Sequence, residues 1–254
     1  MDYFHISYIG GVPLLYPIIN RLNALQGSAR GAQLGNWGPE MGDPAIALIT
    51  KIRVVQIAVE RLQKDVRDLD AELSERADEI DRCITRKPMG LPLQNEEIGF
   101  HLVASLDAFL YEARSAYEML RTFVIRFTRH ILKRRCHEND AERTLEEAMR
   151  AREHSFDWVE ELRKYRASFF HETAPWFALE MTSRDPRRYE LLILNENVAD
   201  LEKNPNYIRF ESYRSIWFGL QACAADMQQW ALTSLDVPRP EQIGSLSGQF
   251  FAAR

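Results

Sequence analysis

The chain has 254 residues, 46% of them hydrophobic and 27% charged, with a formal net charge of -5. That composition is globular rather than disordered, and its acidic balance excludes bulk electrostatic attraction to nucleic acid or anionic lipid, so any such binding must come from a local basic patch. Three cysteines, Cys83, Cys136 and Cys223, lie far apart with no CxxC, which sets aside a disulfide framework and a zinc knuckle and fits a cytoplasmic setting.

In chain order, residues 1–43 read as an irregular N-terminal arm, rich in Gly and turn residues, whose Phe4, Ile6, Tyr8, Leu14, Leu15, Ile18 and Ile19 need cover. Asp2 and the interspersed Gly and Pro speak against a signal peptide. No window of about 18 uncharged apolar residues occurs, so no membrane span is expected. Residues 44–254 read as a single domain. A long helix is expected from Pro44, capped by Asp43, to about residue 86. Its apolar residues Ile52, Val55, Val59, Leu62, Val66, Leu69, Leu73, Ala77, Ile80 and Ile84 recur at three-four spacing. The acidic run from Asp65 to Asp81 reads as the solvated face of this helix. Pro88, Gly90 and Pro92 end it.

A second long helix is expected from about Asn95 to about Arg135, with Leu102, Leu106, Phe109, Ala113, Tyr117, Leu120, Phe123, Phe127 and Ile131 in helical register. Two such helices joined by a short loop make an antiparallel pair. A short helix follows, then a break near His154 and Ser155, then another helix to about His171 with Ser155 as its cap. The period next becomes extended in PWFALEM and RYELLILN, which flank an Asp-Pro turn, so a small β-hairpin is expected near 175–195. A last helix is expected over residues 211–235. The fold class is therefore all-α: an up-down helical bundle built on the long antiparallel pair, with the inserted β-hairpin.

The stretch KYRASFFHET, residues 164–173, holds the candidate site. On a helical wheel with Val159 at zero, Leu162, Tyr165, Phe169 and Phe170 fall near about 300°, 240°, 280° and 20°, and Arg166 at about 340° falls among them. A cation on an apolar face needs a carboxylate, a phosphate or a route to water. Asp107 or Glu112 on the second helix would serve as an ion-pair partner, and a snorkelling stem is a further structural reading. His171 falls about 140° from Arg166, so the two converge only through the helix end ahead of Pro175 or across a dimer axis. For His171 alone, the structural reading is contact between imidazolium and the exposed carbonyls of a helix C-terminus.

Arg166, the spacer ASFF and His171, near the end of a late helix in an all-α domain, resemble the RxxxxH motif of the HEPN superfamily of helical nucleases and nucleotide-binding domains. The likeness covers the helical body from about residue 95 to 235 and leaves the first 43 residues and much of the first long helix unexplained. It implies metal-independent RNA cleavage by a homodimer, possible toxin or defence work with a cognate antitoxin, and no cofactor or metal. His171 would then act as general base or acid on the ribose 2′-OH or the leaving oxygen. Arg166 would stabilise charge on the phosphorus centre. Active members often carry Asn, Asp or His directly after the arginine, whereas this chain has Ala167. A catalytically inactive helical scaffold, dimerising through the first helix, is the alternative.

A second basic element, RFTRHILKRRCH at 126–137, collects Arg129, Lys133, Arg134 and Arg135 as candidate RNA-phosphate contacts. Its structural reading is a basic helix end that complements the helix dipole. His5, His101, His130, His137, His154 and His171 are scattered, with no HExxH, no paired ExxH, no phosphate-binding Gly-rich loop and no GxSxG. The tryptophans at 158, 176, 217 and 230 are spaced like core residues.

Overall fold

A computed structural model describes residues 14–83, 93–170, 176–184, 187–194 and 207–237. It is mostly helical. In chain order come α1 (Tyr16–Leu25), α2 (Pro39–Glu75), α3 (Ala77–Cys83), α4 (Glu96–Arg126), α5 (Glu138–Arg150), α6 (Trp158–Phe170), β1 (Trp176–Arg184), β2 (Arg187–Leu194), β3 (Tyr207–Arg209) and α7 (Ser212–Asp236). The three strands form one antiparallel sheet in the order β1-β2-β3.

Several boundaries differ from the sequence reading, each for a local reason. The arm contains a helix, because Leu15, Ile18 and Leu22 recur every three or four residues and are buried. α2 begins at Pro39 and carries Pro44 inside it. Pro39 is at the favoured first position, while Asp43 sits within the helix instead of capping it. The first long helix is interrupted at Arg76, whose N–H still bonds Glu72 O at 3.3 Å before α3 resumes. The second ends as α-helix at Arg126 and closes in a single π turn, Phe127–Ile131. The hairpin at 176–194 is where the extended period places it, with a register shift between Met181 and Ser183, and β3 adds a third strand that its three residues were too short to signal.

The chain forms two compact units: residues 1–50, 118–154 and 222–254 make one, and residues 51–117 and 155–221 make the other. In the first, Phe123 and Phe127 stack at 5.9 Å between centroids, Trp230 meets Phe127 edge-on at 5.6 Å, and Trp37 lies 6.3 Å from Phe123. Arg30 closes the end of α7, its Nε donating to Leu235 O at 2.6 Å and its Nη2 to Ser234 O at 3.0 Å, so a cation satisfies the carbonyls that a helix C-terminus leaves open.

In the second unit, three contacts fix α2 against α4. Lys51 Nζ meets Glu112 Oε2 at 2.6 Å, Ser105 Oγ donates to Asp65 Oδ2 at 2.5 Å, and Glu72 accepts the backbone N–H groups of Gln94 at 2.6 Å and Asn95 at 3.3 Å. As numbers rise on α2 they fall on α4, so the two helices run antiparallel there. Asp65, Glu72 and Arg76 are buried. This corrects the reading of the run from Asp65 to Asp81 as a wholly solvated face: part of it lies on the flank of the apolar stripe that meets α4, where each charge has a polar partner. Arg76 bridges Glu72 at 3.3 Å and Glu79 at 2.9 Å.

The core of this unit is aromatic. Tyr117 meets Trp158 edge-on at 5.6 Å, and Tyr213 packs against Phe109 and Phe210 at 6.0 and 5.4 Å. Trp158 is buried, whereas Trp217 and Trp230 are half-buried; Trp176 has no described side chain. Trp158 lies flat against Gly219, where a Cβ would come within 2.2 Å of the indole ring. Gly219→Ala is therefore expected to lower stability by about 1–3 kcal/mol through overpacking. Thermal and urea unfolding followed by circular dichroism would show it as a shifted midpoint with unchanged helical signal.

Candidate functional site

α6 positions the motif arginine. Its first turn is prepared by Ser155, whose Oγ accepts the Asp157 N–H at 3.1 Å. Val159, Leu162 and Tyr165 are buried along one face, as the wheel requires. The phenol of Tyr165 donates to Arg209 O at the start of the segment leading into α7, and burial pushes its pKa well up, so it acts as a neutral donor. Arg166 follows Tyr165, four residues before Phe170, the last described residue of α6. The side chain of Arg166 and all of His171 lie outside the described residues. Of the acids considered as partners for Arg166, Glu112 is engaged by Lys51, and Asp107 is an exposed residue on α4.

The basic element at 126–137 is described in full. It is not a straight basic helix end. The π turn widens the helix by one residue, so Leu132 N–H reaches Phe127 O at 3.0 Å and Arg134 N–H reaches Thr128 O at 3.0 Å, with Lys133 in the left-handed region at φ 55. Gly35 N–H then donates to Ile131 O at 2.8 Å. A Cβ on Gly35 would fall 1.8 Å from His130 O and 2.9 Å from the Lys133 side chain, so only glycine allows this approach.

Arg129 is exposed and lies back along the backbone, donating from Nε to Cys136 O at 2.9 Å and from Nη2 to the same oxygen. Its guanidinium serves the exit of the turn. His137 starts α5 and is tied by the Asp140 carboxylate, which accepts its N–H at 2.9 Å. Lys133 and Arg135 are exposed and Arg134 is half-buried, so these three stand together on the exit from the π turn, apart from the role that Arg129 fills.

Sequence reasoning overlooked a third cluster. Asp226 on α7 is buried, its side chain 1% exposed. Its Oδ1 meets Arg152 Nε at 3.0 Å and its Oδ2 meets His154 Nδ1 at 2.6 Å. Both partners come from one tight turn after α5. His154 N–H bonds Met149 O at 3.0 Å and Glu153 N–H bonds Arg150 O at 3.0 Å, the paired closure of a Schellman turn, with Glu153 in the left-handed position at φ 60. The wheel that singles out Arg166 would have found Asp226, which falls about 60° from Cys223 on the flank of the α7 stripe. Cys223 is no nucleophile here, because burial first and the Asp226 charge second push its thiol pKa far up.

Among the described residues, no group of three or more His, Cys, Asp or Glu side chains is placed to hold a metal ion, and no helix is long and apolar enough to cross a membrane. No protein-family model, curated protein or solved structure matches the chain.

Glu153 carries a left-handed backbone that glycine adopts without strain. Glu153→Gly is expected to raise stability by about 1 kcal/mol, read as a higher urea midpoint at constant slope. A lower midpoint would show that the glutamate side chain contributes more than the backbone costs.

Proposed function

We propose that the chain is an up-down helical bundle of HEPN type that binds single-stranded RNA in the cytoplasm and cleaves it as a homodimer without metal, in a toxin or defence role with a cognate antitoxin. The observation that carries this reading is the place of the motif on α6. Arg166 lies in the last described turns of a helix that runs Trp158–Phe170, and His171 follows in sequence. The wheel separation of about 140° applies only to a helix that continues, and Pro175 in the sequence breaks helices, which supports convergence of the two groups in one protomer or across a dimer axis. The antiparallel course of α2 and α4 supports the bundle.

In this reading His171 exchanges a proton with the 2′-OH or the leaving oxygen, and Arg166 offers its planar fork to the oxygens on phosphorus. Lys133, Arg134 and Arg135 supply phosphate contacts on the exit of the π turn. Arg129 contributes mainly by holding that exit, given its bonds to Cys136 O. Ala167 favours the second reading, a catalytically inactive helical scaffold, since the position after the arginine carries no polar group.

Purified protein is expected to cleave single-stranded RNA in EDTA, and Arg166→Ala and His171→Ala are each expected to lower the rate by about a hundredfold or more with helical circular dichroism retained. Undiminished cleavage in both variants, or none in the parent, would leave the scaffold. Replacing Lys133 and Arg135 by Ala is expected to weaken RNA binding and flatten its salt dependence by roughly one unit of slope per lost phosphate contact, measured by fluorescence anisotropy across a salt series.

A further inference from the structure

We propose that Arg152 and His154, held by the buried Asp226, form a phosphate-binding site on the turn after α5. The proposal is independent of Arg166 and His171.

The argument starts from the carboxylate. An ionised carboxylate only accepts hydrogen bonds, so His154 Nδ1, 2.6 Å from Asp226 Oδ2, carries its hydrogen toward the acid. That fixes the ring and turns Nε2 away from the carboxylate. The His154 side chain is 46% exposed and that of Arg152 is 54% exposed. Arg152 meets Asp226 Oδ1 through Nε at 3.0 Å, and its guanidinium carries more N–H donors than one carboxylate can take up. One buried acid thus holds an arginine and a histidine whose side chains are each about half exposed.

A purely structural tie would need less. One cation neutralises one carboxylate, and a turn with glycine at its left-handed position would cost no strain. Here the chain holds a glutamate at φ 60 in the turn whose flanking residues, Arg152 and His154, reach the same carboxylate. Strain retained at a single residue, where the surroundings over-determine the backbone, is a mark of functional positions. The α7 surface beside Asp226 is neutral, made by Ala222, Ala225 and Gln229. The acid within the turn is Glu153 itself, which is exposed. A tetrahedral oxyanion with several acceptor oxygens suits a guanidinium edge beside a histidine whose Nε2 becomes a second donor when the ring takes up a proton together with the anion, and phosphate is bound in this way by charge-assisted donors.

The phosphate could be free, part of a nucleotide, or part of an RNA backbone, and one experiment separates these. The histidine ring resonances of the full-length protein would be followed by NMR during titration with inorganic phosphate, a mononucleotide and a short single-stranded RNA, each against chloride at equal ionic strength. The expected result is a saturable shift of the His154 resonances, assigned through His154→Gln, with all three ligands. Arg152→Ala is expected to weaken phosphate binding roughly tenfold, the scale of one charge-assisted contact. Equal affinity for phosphate and mononucleotide identifies the phosphate alone as the ligand, while tighter binding of RNA with a steep salt dependence identifies a backbone subsite.

Arg152→Lys retains the positive charge that faces Asp226, so it keeps the test readable if the alanine variant unfolds; it is expected to bind phosphate detectably but more weakly than the parent. A shift of His154 no larger in phosphate than in chloride, or one unchanged in both Arg152 variants, would overturn the proposal. Because Arg166→Ala and His171→Ala leave this site intact, they should lose about a hundredfold or more of the cleavage rate yet still show the His154 shift. Failure of the nuclease reading is thereby distinguishable from failure of this one.

Discussion

The constraint on which this structure turns is the cost of burying charge on a helix. A carboxylate removed from water must be met by cations or hydrogen-bond donors, or it neutralises and loses its purpose. This chain places three acids on the flanks of apolar stripes and answers each differently. Asp65 takes the hydroxyl of Ser105. Glu72 takes Arg76 and two backbone N–H groups that precede α4. Asp226 takes an arginine and a histidine from one turn. Apolar stripes alone permit helices to slide by a turn, since leucine tolerates many neighbours. A buried acid does not, because a shift of one turn strands it. The register of α2 on α4 and the seating of the α5 turn on α7 therefore follow from a few polar contacts laid on an otherwise permissive core.

The same logic explains where backbone strain is found. Lys133 and Glu153, the non-glycine residues with positive φ among the described residues, both end helices of the first unit. At the first, a π turn is closed by Gly35 from the arm and by Arg129 on Cys136 O. At the second, the turn is closed by Asp226. In both places a partner outside the turn holds it in a conformation that the local sequence would leave for glycine. The arm is thus joined to the helical body by backbone hydrogen bonding at a site where the helix has too many carbonyls for its own N–H groups, and this is why a segment that reads as loop is packed in place.

Periodicity made the helices and the hairpin legible. Phe109, Tyr117, Leu120, Phe123 and Phe127 lie in helical register and are buried, and WFALEM and RYELLIL pair as strands. Punctuation was less legible. Pro44 looked like a start because proline favours the first turn, yet Pro39 occupied that place and the helix tolerated the second ring. The π turn had no signal, since Phe127 and Ile131 keep a spacing that a regular helix also gives. Polar positions were read unevenly. The wheel exposed Arg166 because arginine on an apolar face is conspicuous, while Asp226, Asp65 and Glu72 were hidden by the assumption that acids on an amphipathic helix face water. On α2, Asp65 and Glu72 fall at about 280° and 260° with Val55 at zero, on the edge of the stripe where a neighbouring helix covers them.

How a cation's donors are spent decides what it can still bind. Arg129 donates from Nε and Nη2 to one carbonyl, so one edge of its fork is committed to the fold. Arg121 lies within reach of Glu118, Glu138 and Glu142, a cation surrounded by acids and poorly suited to an incoming anion. Lys133 and Arg135 are exposed but sit on flexible stems whose ordering would cost entropy on binding. Arg152 and His154 differ from all of these: each has one nitrogen on a buried acid and a side chain about half exposed. Preorganisation of that kind lowers the entropic cost of capturing an anion, which ranks the turn after α5 above the longer basic run at 126–137 even though the latter carries more charge.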